Sequence, residues 1–73
     1  MHDVRLCNRL KQWREEKELT QADLARLAGV SRKTINTVEN GVFIPSVQLA
    51  LVLARTLGTT VEALFQVIPT ARK

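Results

Sequence analysis

Apolar residues fall at helical spacing in successive blocks along the chain, and glycine, proline and hydroxyl side chains separate the blocks. Leu6, Leu10 and Trp13 recur at i, i+4 and i+7, which predicts an amphipathic first helix over residues 4 to 17 with Cys7 on it as a small apolar side chain. Trp13 lies on the apolar stripe as a core anchor, while Arg5, Arg9, Lys11, Glu15 and Glu16 form the solvated face. Thr20 opens a second helix, with Asp23 three residues later approximating a capping box, and Leu24, Leu27 and Ala28 follow at helical spacing. Gly29 stands where the chain must take a positive φ, and Ser31 caps a third helix. Gly41 ends that helix and Pro45 forbids its continuation. Ser46 caps a fourth helix over Val47–Leu57, which Gly58 stops. Thr59 with Glu62 then makes a capping box for a short fifth helix through Leu64 and Phe65, and Pro69 prevents further helix in the tail. No strand pattern competes. The expected fold is all-α: one five-helix domain over residues 1–73, its core between about 4 and 66, followed by a short tail at 67–73.

The third helix carries the most informative face. On a wheel of about 100° per residue, Thr34, Ile35 and Val38 cluster inward, while Arg32, Lys33, Asn36, Thr37 and Asn40 gather outward. An ordinary solvated helix mixes acids and bases, because pairs of opposite sign four residues apart stabilise it. This face has two cations, two amides and a hydroxyl, with its only acid, Glu39, toward the edge. Asn and Thr are mediocre helix formers, and they make sense here as hydrogen-bonding groups for an external partner. Arg and Lys suit guanine edges, Asn suits adenine, and Thr suits several bases or a thymine methyl. Two short helices joined by a glycine turn are the connection a DNA-binding helix-turn-helix uses, although small bundles use it too.

Composition narrows the function classes. Eleven Lys and Arg against seven Asp and Glu give a net charge of +4, which favours a polyanionic partner. The single cysteine, Cys7, excludes an intrachain disulfide framework and fits a reducing cytosol. With His2 as its one possible histidine partner, no four-ligand zinc site can be assembled, and no metal or cofactor is expected. No nucleophile–base constellation, paired carboxylates or glycine-rich phosphate loop points to an enzyme. No secretory signal or membrane-spanning run is evident, so a cytoplasmic, nucleoid-associated protein is expected, without a membrane partner.

The text RLKQWREEKELTQADLARLAGVSRKTINTVENG, followed by PSVQLALVLARTLGTTVEALF, resembles the phage Cro and cI-type repressors and their small bacterial relatives. The resemblance covers residues 6 to about 65 and implies a lambda-repressor-like bundle whose second and third helices bind DNA. It places Arg32, Lys33, Asn36 and Thr37 at base-reading positions. It places Gln21 and Asn40 at DNA-backbone contacts, to which Thr20, Ser31 and Arg14 are added. Arg14 and Glu39 resemble a family pair that bridges the first helix to the end of the third. Two departures stand out. Arg32 and Lys33 replace the glutamines of the best-known phage repressors, and the connection VFIP is apolar where several relatives are basic.

The function these observations favour is a sequence-specific transcriptional regulator of double-stranded DNA, acting as a repressor. One domain of this size covers only a half-site, so a homodimer on a two-fold operator is expected. The fourth helix adds to that expectation. Leu49, Leu53, Leu57, Ala50, Ala54, Val47 and Leu51 span an apolar arc of roughly 200°, wider than a surface helix needs. Val52 lies off that arc, and with Phe65, Val67 and Ile68 it forms the expected dimer surface. The nearest rival is an antitoxin or restriction-modification controller that represses its own operon, an antitoxin also binding a toxin protein. A more distant rival, a protein–protein adaptor without DNA, predicts an acidic or apolar third-helix face.

Overall fold

Hydroxyl side chains start four of the five helices: Thr20, Ser31, Ser46 and Thr60 each accept the backbone N–H three residues ahead. The computed structural model describes residues 4–69; His2 and the basic end of the tail at 70–73 lie outside the described residues. In chain order the elements are β1 (Val4–Asn8), α1 (Leu10–Glu16), α2 (Gln21–Ala28), α3 (Arg32–Glu39), α4 (Val47–Leu57), α5 (Val61–Leu64) and β2 (Phe65–Pro69). Leu10, Leu24, Ile35, Val38, Leu53, Leu57 and Leu64 are almost wholly buried, so every helix contributes to one core. Trp13 packs against it partly buried, whereas Leu27 lies 52% exposed.

The all-α expectation is corrected at both ends of the bundle. Residues 4 to 8 are a strand rather than the first turns of a helix, and Phe65 begins a second strand rather than ending α5. The two pair antiparallel, with Leu6 opposite Val67 and Asn8 opposite Phe65. Cys7 therefore sits in β1, half-buried, and not on α1. The reason is non-local. Val4, Leu6 and Asn8 also fit a period of two, and a strand partner some 60 residues away decides between the periods. Asn8 makes the transition: its side-chain oxygen accepts the Leu10 N–H at 3.3 Å, and its amide donates to the Val38 carbonyl at 3.1 Å. The Arg9 N–H adds a bond to the Leu64 carbonyl at 2.7 Å, joining the start of α1 to the end of α5.

A smaller correction concerns α5. Its cap is Thr60, whose hydroxyl accepts the Ala63 N–H at 3.1 Å, not Thr59 with Glu62. Thr59 is used one position earlier, where its N–H closes the end of α4 on the Ala54 carbonyl at 2.9 Å beyond Gly58 at φ +71.

The capping box of α2 is complete. Thr20 Oγ1 accepts the Asp23 N–H at 2.9 Å, and the Asp23 carboxylate accepts the Thr20 N–H at 2.9 Å. The backbone N–H of Thr20 and then its hydroxyl hold the Asp23 carboxyl below its usual pKa. A depressed carboxylate stabilises the fold above the unfolded-state pKa of about 4, and that contribution is lost as pH falls through the lower folded value. Thermal unfolding of the native chain and Asp23→Asn should accordingly differ at pH 6 and converge toward pH 2. Thr20→Ala should cost about 1 kcal/mol at neutral pH. A gap between native and Asp23→Asn that persists unchanged into acid would show that the carboxylate charge contributes nothing.

Candidate nucleic-acid interface

The turn between α2 and α3 is set by a left-handed residue. Gly29 at φ +75 lets its own N–H reach the Arg26 carbonyl at 3.3 Å and the Val30 N–H reach the Ala25 carbonyl at 3.0 Å. Val30 then packs partly buried against the core, and Ser31 caps α3 through the Thr34 N–H at 3.1 Å. Two residues thus separate Gly29 from the first residue of α3, which fixes the angle between the helices.

On α3, Ile35 and Val38 point into the core, while Arg32, Lys33, Asn36 and Asn40 are exposed and Thr37 is half-exposed. The Asn40 amide donates to Asn36 Oδ1 at 3.2 Å, orienting the Asn36 amide while leaving its NH2 group free. The Thr37 hydroxyl donates back to the Thr34 carbonyl at 3.0 Å. Thr34 itself is only partly buried, its hydroxyl 2.9 Å from that of Ser31.

The charges of α3 run against its own dipole. Its first turn holds Arg32 and Lys33 and no acid, and its last residue is Glu39. A helix by itself favours the reverse, acids at its N-terminus and cations at its C-terminus, by roughly 0.3–1 kcal/mol per charge. The Glu39 anomaly is resolved inside the protein. Its carboxylate, only 2% exposed, accepts Arg14 Nε at 2.6 Å and a second Arg14 nitrogen at 3.2 Å. It also accepts the Gln21 side-chain amide at 3.0 Å. Arg14 spends its remaining terminal nitrogen on the Leu19 carbonyl at 2.8 Å. Hydrogen bonding to Glu39 first, and its charge, raise the Arg14 pKa further above its ordinary value against the opposing effect of burial. One carboxylate therefore ties α1, α2 and the end of α3 together. The Arg32 and Lys33 anomaly has no such internal answer: neither forms a salt bridge among the described residues.

The expected site residues are brought together unevenly. Arg32, Lys33, Asn36 and Thr37 share the outer face of α3, with Asn40 one turn on. Thr20 and Ser31 are exposed at the starts of α2 and α3, and Gln21 keeps part of its amide free. Arg14 is largely buried, its side chain 9% exposed, and three of its five N–H donors go to Glu39 and the Leu19 carbonyl. Phe65, expected at the dimer surface, is mainly a core residue, 9% exposed, and reaches the surface only as part of a groove wall beside α4. Val52 is only partly exposed, while Val67 and Ile68 are exposed on β2.

The wide apolar arc of α4 is not wholly covered. Val47 and Leu51, both within that arc, are 77% and 57% exposed. Together with Leu6 and Ile44 they flank a groove whose other walls include Ala50, Val61 and Phe65. An arc of 200° covers more than the core beneath α4 can reach, and the excess emerges at its edge.

Comparison with known proteins places this geometry in context. A family described as "Helix-turn-helix" matches residues 10–64. An uncharacterized HTH-type transcriptional regulator of Methanocaldococcus jannaschii is 45% identical over 58 residues, covering 80% of this chain and 88% of that protein. The structure is similar to that of the restriction-modification controller protein C.AhdI from Aeromonas hydrophila, with a TM-score of 0.71 and 33% identity over 74% of this chain and 82% of the other. It is also similar to SinR, a master regulator for biofilm formation solved in complex with DNA. Here the TM-score is 0.69 with 30% identity, over 73% of this chain and 86% of that one.

Proposed function

We propose a specific mode of action for this chain, which belongs to the Cro/cI-type helix-turn-helix family of transcriptional regulators: it is a repressor that inserts α3 into the major groove of an operator. The observation that carries the reading is the reversed charge of α3, two cations held at a helix N-terminus without a salt-bridge partner among the described residues. Acceptor-rich base edges and phosphates supply the missing partner. Arg32 donates to guanine, Lys33 donates to a base-edge oxygen, Asn36 pairs with adenine, and Thr37 contacts a neighbouring base. Gln21, Thr20, Ser31 and Asn40 meet the sugar–phosphate backbone, aided by free N–H groups at the starts of α2 and α4. Phosphate contacts supply most of the affinity and the few α3 side chains supply the specificity. The protein acts by binding, without catalysis or cofactor. Selection of bound duplexes from a random DNA pool tests the reading: a two-fold symmetric consensus is expected, and failure to enrich any sequence refutes it. Similarity to a restriction-modification controller favours one regulatory setting, control of the protein's own operon.

Two-fold symmetry requires two copies. We place the contact on the groove edged by Leu6, Ile44, Val47 and Leu51, continued by Val67 opposite Leu6. No charged residue lines this groove, so two copies of a cationic chain meet there without local repulsion. Its exposed α4 side chains are knobs beside a recess, as a self-complementary interface needs. Sedimentation of the native chain should show a dimer, and Val47→Glu with Leu51→Glu should show a folded monomer with weakened operator binding. A native monomer that binds operator one chain at a time would refute the interface.

A further inference from the structure

Val42 is 78% exposed and Phe43 is 47% exposed, immediately after α3. They are not on a free loop. Gly41 at φ +75 turns the chain back, and the N–H groups of Val42 and Phe43 donate to the Thr37 carbonyl at 3.0 and 3.2 Å. This fastening brings both side chains to one open recess shared with Ser31, Lys33, Thr34 and Thr37. The hydroxyls along that wall are engaged within the protein: Ser31 with Thr34 at 2.9 Å, and Thr37 with the Thr34 carbonyl at 3.0 Å. What remains for an external partner is mostly methyl and aromatic surface, with Lys33 as the one charged residue of the lining.

We propose that Phe43 and Val42, with Thr37, form a receptor for the C5-methyl group of a thymine in the major groove. The proposal rests on the reading of α3 as the DNA-facing helix, with which the recess is continuous. Among the groups that base pairs expose in the major groove, the thymine methyl is the apolar one, and the thymine O4 acceptor lies beside it. Phe43 and Val42 match the methyl and Lys33 matches O4, so one base satisfies both features of the recess. A phosphate fits poorly, because desolvation against Phe43 would not be offset by hydrogen bonds there. The segment after α3 thereby becomes a second reader of sequence, without any basic side chain of its own between residues 41 and 46.

The test uses the full chain and the duplex recovered by selection. Each thymine of the consensus is replaced singly by deoxyuracil, which lacks only the methyl group, and dissociation constants are measured for the native protein, Phe43→Ala and Val42→Ala. At one thymine of each half-site the native protein should lose about fourfold in affinity, the worth of one buried methyl. Phe43→Ala should bind thymine and uracil there alike, and Val42→Ala should show a reduced difference. Native binding indifferent to every uracil substitution overturns the proposal. So does a Phe43→Ala variant that weakens all duplexes equally while keeping the native methyl preference. In either case the consensus still stands, so the reading of α3 survives; a pool that yields no consensus overturns both.

Discussion

Glu39→Ala should lower unfolding stability by about 3–5 kcal/mol, the cost of leaving one member of a buried ion pair unpaired. That is a large share of the roughly 5–15 kcal/mol that holds a typical domain together, and a chain of 73 residues lies toward the weak end. The mechanism is electrostatic rather than steric. Without Glu39, the Arg14 side chain, 9% exposed in the native fold, has two nitrogens facing no acceptor, and the Gln21 amide loses its partner as well. Urea unfolding followed by circular dichroism measures the loss. A cycle through Arg14→Met, Glu39→Leu and the double variant isolates the pair, and the double variant should recover much of the single-variant loss. Coupling below about 0.5 kcal/mol would reject the carboxylate as the tie between α1, α2 and α3. Because that tie orients α3, Glu39→Ala should also weaken operator binding at temperatures where it is still folded.

The sequence made the helices readable because their ends are chemically marked. Thr20, Ser31 and Ser46 cap where a side-chain oxygen precedes an apolar block, and Gly29 and Gly58 leave their helices at positive φ. The Arg14–Glu39 contact was legible only through resemblance, since nothing local joins residues 25 positions apart. The sheet was not legible. Leu6 and Leu10 satisfy a helical period, and the pairing of β1 with β2 that overrules it joins opposite ends of the chain. The available signal was Asn8, a helix-capping residue type inside the span assigned to helix. The exposure of Val47 and Leu51 was not legible for a similar reason: a wheel ranks the positions of α4 but does not show how much core lies beneath them.

The second large effect concerns α3. Arg32→Ala, Lys33→Ala, Asn36→Ala and Thr37→Ala should each weaken operator binding by about 1–3 kcal/mol where the side chain makes a good base contact. Binding to unrelated DNA should fall less for Asn36 and Thr37, which carry no charge, than for Arg32 and Lys33. The reversed dipole adds a signature that ordinary surface residues lack. Arg32→Asp should stabilise the free protein by about 0.3–1 kcal/mol while abolishing operator binding, because the same charge that reads DNA opposes the helix that carries it.

The central claim is that α3 is the reader, and its most direct measurement is the ratio of operator to non-specific affinity for a chain bearing all four alanines at constant salt. The account predicts that this ratio collapses toward one while thermal unfolding stays cooperative. A fourfold variant that remains folded and keeps the native ratio would contradict it.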